Sequence, residues 1–218
     1  MTASHPEISR RRALGRSAAL AAAGGLALAG PARAGPTDEA AEVSAVEDLM
    51  REHGVLRRIL VVYREAAASL RREAPRLDLS ALGDAAQLFA TFGEAYHEGA
   101  LEERHIFPAV RNASGAAAGL IDTLLAQHRR GRELTADIKA RCAAGGRGGG
   151  DLADALEAFA RMYEAHTAFE DTVVFQAWKA SMSEAAQREA TERFEAIEHA
   201  QFKGDGFEHA VAQVARIE

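Results

Sequence analysis

Three histidines of this chain stand within apolar stripes of helical spacing, and their placement constrains the fold more than any other feature. Around His53, leucine, valine and methionine recur every three or four positions, which is the pattern of one buried helix face. His128 and His166 occupy the corresponding place in two later segments. Each stripe predicts an imidazole that faces the core, where a polar ring without a partner carries a desolvation cost. The fold must supply that partner.

The segments that carry these stripes predict an all-α fold. Alanine and leucine dominate, the chain has five prolines, and β-branched runs of strand length are scarce. Long helices with short connections are typical of an antiparallel up-and-down four-helix bundle. We expect Thr37 to cap the first helix and Pro108 to end the second. The four expected helices span about 37–72, 80–107, 117–142 and 151–180, and extra C-terminal helices begin at 183.

The second and fourth expected helices repeat a motif of histidine, paired acids and phenylalanine. The second helix carries Glu102 and Glu103 after its histidine, and the fourth carries Glu170 and Asp171 after His166. In both helices the acidic pair begins five residues before a phenylalanine, and Glu170 lies one turn beyond His166 on the same face. This equivalence predicts that Glu102 and Glu170 point inward, and that Glu103 and Asp171 are their solvent-facing neighbours.

Together the helices present four inward histidines and two inward carboxylates. One histidine on an apolar face is more often a satisfied core residue than a ligand, so a metal-free structural bundle stays open. Six such groups in one core are harder to explain, because each would carry a desolvation cost without a compensating partner. A metal cluster compensates all six, and imidazole with carboxylate suits iron.

The repeated stretch, which ends in Phe-Pro in the second helix, resembles the hemerythrin family, in particular its bacterial branch of cation-binding domains. The resemblance extends from about Glu47 to Trp178. It implies a four-helix bundle that holds two iron ions in a non-haem diiron centre. It also implies the metal ligands, with the two glutamates as bridges: His53, His97, Glu102, His128, His166 and Glu170.

The second helix departs from the spacing of the fourth. His97 precedes Glu102 by five residues, whereas the corresponding spacing in the fourth helix is four, so on a regular α-helix the first pair would diverge by about 140°. We expect a π-bulge near Gly99 to bring the pair onto one face. Without such a bulge, Glu98 would be the substitute for His97.

The third helix lacks the second histidine that oxygen-carrying members of the family have four residues after the first. Arg132 stands at that position. Reversible oxygen carriage therefore does not follow from the resemblance, and each iron would keep two imidazoles and open coordination positions. Tyr63 and Tyr163 are candidate replacement ligands.

The first 34 residues predict an export signal. Ser9 to Leu14 resembles the twin-arginine motif, and Ala32 to Ala34 fits a cleavage site. The apolar run between them has about a dozen residues, fewer than the ~20 of a membrane-spanning helix. We therefore divide the chain into a signal peptide at 1–34, the bundle at 35–182 and a helical extension at 183–218. A periplasmic or otherwise exported protein without a stable membrane anchor is expected.

The net charge limits the possible binding partners, and the cysteine content limits how the fold can be stabilised. Removal of residues 1–34 takes away five basic residues and one acidic residue and leaves a net charge near −10, which disfavours nucleic acid as a partner. The single cysteine, Cys142, cannot form an internal disulfide. Stability must therefore come from packing or from metal.

These features favour a protein that binds or reduces a small oxidant or diatomic ligand, namely oxygen, peroxide or nitric oxide. Whether it is an enzyme, and what its redox partner is, do not follow from the sequence. A non-enzymatic metal-binding or iron-sensing module and reversible oxygen storage are the alternatives. A hydrolase is disfavoured, because no Ser-His-Asp order, phosphate loop or thiolate cluster accompanies the histidines.

The export signal yields a first prediction. Replacement of both Arg10 and Arg11 by lysine should strand the precursor in the cytoplasm without affecting folding, because the twin-arginine route reads the arginine pair. Immunoblots of periplasmic and cytoplasmic fractions measure this distribution. Normal export of the double variant would refute the assignment of the signal.

Overall fold

The computed structural model describes residues 43–72, 77–113, 115–146 and 149–218, and the regular elements within them are all helical, as expected of an all-α protein. The expected signal peptide, its cleavage site and the Thr37 cap lie outside these described residues. No helix in the described ranges is both long and apolar enough to cross a membrane.

The first half of the described chain forms two long helical rods. Helix α1 is Ala45–Arg71. The second rod runs without a break through α2 (Leu79–Leu88), a π-helical segment π1 (Phe89–Ile106) and α3 (Phe107–Ala113).

The second half starts with a 3₁₀ turn and continues with five helices and a second π segment. Their bounds are Ala118–Leu120 for the turn, Ile121–Ala143 for α4, Gly149–Phe169 for α5, Glu170–Val174 for π2, Phe175–Ala180 for α6, Glu184–Phe202 for α7 and Gly206–Ile217 for α8.

Two expected helix limits need correction. Helix α1 begins at Ala45, later than the expected start near residue 37, because the Ser44 hydroxyl accepts the backbone N–H of Glu47 and caps the helix there. The second rod continues past Pro108 to Ala113. Pro108 is the second residue of α3, directly after the π segment, where the hydrogen-bond spacing changes from five residues to four.

The long helices pack in a closed cycle of neighbours. Helix α1 lies against α5, α5 against α4, α4 against α2, and α2 against α1. Aromatic rings fill the interior on one side of the histidines, where Phe89 meets both Phe159 and Tyr163 edge to face. Helix α8 packs on α1 and α2, and α7 contacts α1 and π1. The C-terminal helices therefore share the core of the four long segments.

Gly99 lies inside π1, at the site of the expected π-bulge. A Cβ atom at this residue would stand 3.0 Å from the carbonyl oxygen of Glu94, five residues earlier. A Cβ at Gly54 in α1 would meet nothing within 4 Å. The two helical glycines therefore differ in whether a side chain fits.

This difference predicts opposite stability effects for the two alanine variants. Gly54→Ala should raise the free energy of unfolding by about 0.5–1 kcal/mol, the usual gain from replacing glycine in a helix. Gly99→Ala should forfeit that gain or lower the free energy of unfolding, because its methyl group presses on the backbone of π1. Urea denaturation measures both, and an equal gain in the two variants would contradict the crowding.

Candidate metal centre

Four imidazoles meet in pairs at the centre of the long helices. The Nε2 atoms of His53 in α1 and His97 in π1 are 2.9 Å apart, and those of His128 in α4 and His166 in α5 are 3.1 Å apart. All four rings are buried. The structure thus brings together every histidine that the sequence placed inward, and divides them into two pairs.

Two carboxylates span these pairs. Glu102 reaches His97 Nε2 with Oε1 at 3.4 Å and His128 Nε2 with Oε2 at 3.3 Å. Glu170 reaches His166 Nε2 at 3.1 Å and His53 Nε2 at 3.5 Å. Each glutamate therefore touches one imidazole of each pair, which is the placement of a bridging ligand.

The chemistry of this donor set fits two metal ions. Glu102 and Glu170 are fully buried, and among the described residues none of their four carboxylate oxygens has a hydrogen-bond partner. Orphaned buried anions call for a cation. Two nitrogen ligands at right angles on one ion, with bonds of about 2.1 Å, would lie ~3.0 Å apart, close to both observed Nε2 separations.

The ionisation of the cluster points to the same need for positive charge. Burial opposes ionisation of Glu102, but the charge of His97 and contacts with His128 outweigh it and hold the pKa of the carboxyl well below its usual range. Burial likewise opposes protonation of His97, yet Glu102 and Glu52 raise the pKa of this imidazole well above its usual value. Cations and carboxylates therefore stabilise one another here.

Each imidazole is held by a hydrogen-bond partner at its other nitrogen. The Nδ1 atoms lie 2.7 Å from Asp171 for His53, 2.7 Å from Glu52 for His97, 2.9 Å from Glu103 for His128 and 3.0 Å from Gln127 for His166. An acceptor at Nδ1 fixes the proton there and directs the Nε2 lone pair inward, as in protein metal sites.

These contacts correct the interpretation of Glu103 and Asp171 as solvent-facing neighbours. Asp171 is largely buried against His53, and Glu103, although partly exposed, bonds to His128. Each residue stands next to Glu102 or Glu170 on one helix but holds a histidine of another helix. A helical-wheel argument treats one helix at a time and therefore misses such a partner.

The residues before the histidines of α1 and α4 were also missed. Glu52 and Gln127 each precede a histidine of the cluster and bond to the next histidine around the cycle of helices. The signal was present in the sequence, where Glu52-His53 and Gln127-His128 are each followed by an arginine four residues after the histidine.

This repeated arginine accounts for Arg132, which stands where oxygen carriers of the family have a second histidine. Arg57 bonds to Asp171 in the first half of the cluster, and Arg132 bonds to Glu103 at 2.7 Å and to Glu98 at 3.1 Å in the second half. Arg132 therefore corresponds to Arg57, and both neutralise the carboxylates that hold the histidines.

The expected π-bulge is confirmed, although the π-helical geometry extends over all of π1 and recurs in π2. The backbone N–H of Phe107 bonds to the carbonyl of Glu102, and that of Phe175 bonds to the carbonyl of Glu170, each five residues back. The five-residue spacing between acid and phenylalanine thus marks a π turn in both π1 and π2.

Glu98 does not replace His97 in the cluster. Its carboxylate accepts the Tyr163 hydroxyl at 3.2 Å and also bonds to Arg132, and burial raises its pKa to about 7. The Tyr163 hydroxyl is thereby bonded to Glu98 and not to Glu102 or Glu170. The Tyr63 hydroxyl is buried, and this burial, with smaller contributions from Glu94 and Cys142, raises the pKa of the phenol. Neither tyrosine joins the two pairs of histidines.

Comparisons with known proteins agree with this arrangement. The hemerythrin HHE cation-binding domain matches residues 44–178. Uncharacterised proteins of Mycobacterium bovis and of two Mycobacterium tuberculosis strains are 42% identical over 180 residues, which cover 81% of this chain and 69% of each relative. No solved structure matches significantly. With these similarities, the chain belongs to the hemerythrin HHE cation-binding domain family.

Proposed function

We propose that this protein is an exported non-haem diiron protein that binds or reduces oxygen, peroxide or nitric oxide. One observation carries the proposal. Four buried oxygens, those of Glu102 and Glu170, have no hydrogen-bond partner in the described part of the chain and lie between two pairs of buried imidazoles. Export through the twin-arginine route, and a bundle of four antiparallel helices, are parts of the same proposal.

The residues divide into two metal positions. Position 1 is the pair His53 and His97, and position 2 is the pair His128 and His166, with Glu102 and Glu170 shared between them. Each pair of imidazoles, together with the nearby glutamate oxygens, lies close enough to hold one ion. Iron would supply the coordination sites at which the small ligand binds, and it would also supply the electrons that reduce this ligand.

The surrounding side chains hold the imidazoles and shield them from water. Phe175 stacks on the ring of His53 with centroids 5.4 Å apart, and Phe107 stacks on His128 at 5.3 Å. These two phenylalanines end the two π turns, so the backbone that presents each glutamate also places an apolar ring over a histidine. A site shielded in this way strengthens electrostatic interactions and limits side reactions with solvent.

The number of imidazoles favours reduction or sensing over reversible oxygen storage. Each pair supplies two histidines, and Arg132, at the position of the additional histidine of oxygen carriers, is bound to Glu98 and Glu103. Both metal positions therefore keep coordination sites for exogenous ligands.

Iron sensing is the second candidate, and one chain of contacts favours it. Phe202 at the end of α7 packs edge to face on Tyr96, with ring centroids 5.1 Å apart. The Tyr96 hydroxyl donates to Glu52, and Glu52 holds His97. Metal at position 1 is thus linked to the C-terminal helices, and a change in the packing of these helices would alter the surface that they present to a partner protein.

Iron analysis tests the proposal directly. Purified protein should contain close to two irons per chain, since four histidines and two bridging carboxylates exceed the needs of one ion. Glu170→Gln should lose most of this iron, because an amide supplies neither the charge nor the second oxygen of a bridge. The control variant Glu164→Gln makes the same change at an exposed site, where it removes an ion pair with Arg64, and it should retain the iron. Iron near zero in the parent protein would contradict the proposal.

Asp171→Asn separates a ligand from a residue that holds a ligand. Because Asp171 acts through His53, its replacement should lower metal affinity about 10- to 100-fold without abolishing binding. Competition with a coloured chelator measures the affinity. A loss as complete as that of Glu170→Gln would contradict the distinction between the two neighbours.

Stopped-flow spectroscopy distinguishes reduction from storage. Reduced, iron-loaded protein mixed with oxygen or peroxide should convert within seconds to minutes to a stable diferric spectrum, because both positions are open. A long-lived oxygenated spectrum that returns to the reduced one when oxygen is removed would instead establish reversible storage.

A further inference from the structure

The hydrogen bonds around the histidines follow an approximate two-fold repeat. Helix α1 and helix α4 each carry a histidine with an arginine four residues later, namely Arg57 and Arg132. The residue before each of these histidines, Glu52 or Gln127, accepts the hydrogen bond from the Nδ1 of a histidine on the neighbouring helix. Segments π1 and π2 each carry a bridging glutamate followed by an acidic acceptor, namely Glu103 and Asp171. The repeat makes the surroundings of position 1 and position 2 directly comparable.

The repeat is broken at one acceptor. At position 1 both imidazoles bond to carboxylates, Asp171 and Glu52, each at 2.7 Å. At position 2 one imidazole bonds to Glu103 at 2.9 Å, and the other bonds to the neutral amide oxygen of Gln127 at 3.0 Å. A carboxylate acceptor raises the basicity of an imidazole ligand, and a neutral amide does so less.

None of the other nearby charged groups takes the place of Gln127 as a hydrogen-bond acceptor. Arg57 and Arg132 occupy equivalent places and act on equivalent acids, and Arg132 bonds to Glu98 as well. Glu98 adds a negative charge near His128, but it stands 3.9 Å from the Nδ1 of His128, beyond hydrogen-bond distance, and is itself bonded to Arg132 and Tyr163, so it supplies no hydrogen-bond acceptor to the imidazoles of position 2. Gln127 is therefore the one uncharged member of the four acceptors.

We infer that the two metal positions are unequal and that Gln127 sets the difference, so that a divalent cation fills position 1 more tightly than position 2. This inference rests on the proposed two-metal centre. It assigns Gln127 as a positioning residue that acts through His166 and leaves the second ion more weakly held and more readily exchanged.

Calorimetric titration of metal-free protein with Co²⁺, a divalent ion that is stable in air, measures the difference. The parent protein should bind two equivalents in two steps whose dissociation constants differ about 10-fold or more, the usual effect of one such acceptor. Gln127→Glu should merge the steps at the tighter value. Glu52→Gln should merge them at the weaker value, because each position then has one carboxylate and one amide acceptor.

Controls separate this inference from its alternatives. Gln213→Glu makes the same charge change on the exposed face of α8 and should leave both steps unchanged. Circular dichroism verifies folding, and Gln127 is partly exposed, so Gln127→Glu is informative even if Glu52→Gln unfolds. Two steps that persist in Gln127→Glu would overturn the inference and indicate repulsion between the ions. Two equal steps in the parent protein would overturn it as well, whereas no Co²⁺ binding would refute the two-metal centre itself.

Discussion

The burial of two anionic carboxylates between four imidazoles is the constraint on which the rest of this structure depends. Glu102 and Glu170 have no access to solvent and no hydrogen-bond partner in the described residues, so the free energy of their burial must be recovered from positive charge. Placing that charge between two pairs of histidines requires side chains from four helical segments to end at one point. The register of every long helix is therefore set by this cluster as well as by apolar packing.

The π segments show how the backbone meets that requirement. A regular α-helix would separate His97 from Glu102, and the wider turns of π1 bring both onto the inner face. Such turns are rare and carry a local cost, which suits a functional site more than a purely structural core. The crowding of Gly99 against Glu94 shows why a residue without a side chain stands there.

Much of this arrangement could be predicted from the sequence, because it is local to one helix at a time. Spacing within apolar stripes identified three of the inward histidines, and the motif repeated in the second and fourth helices identified His97, Glu102 and Glu170. The contacts of Glu52, Gln127 and Asp171 could not be predicted in this way, because each residue holds a histidine on a different helix. The prediction that the second helix ends at Pro108 was wrong for a related reason, since the effect of Pro108 depends on the π turn that precedes it.

The outer residues complete the charge balance of the site. Three carboxylates, those of Glu52, Glu103 and Asp171, surround the histidines, and Arg57 and Arg132 offset part of their charge. In the metal-free protein, protons supply more of the balance. Glu98 and Glu102 act against burial to raise the pKa of His128, as Glu102 and Glu52 do for His97.

Metal ions would have to displace those protons, since an imidazole nitrogen cannot hold both. With metal bound as proposed, the same residues would stabilise two states of the core, one balanced by protons and one balanced by metal cations. The arginine at position 132 has a place in both states, because the acid that it neutralises holds His128 in either one. An additional histidine at that residue would remove this counter-charge from Glu103, so the departure from the oxygen-carrier pattern is part of the balance of the cluster.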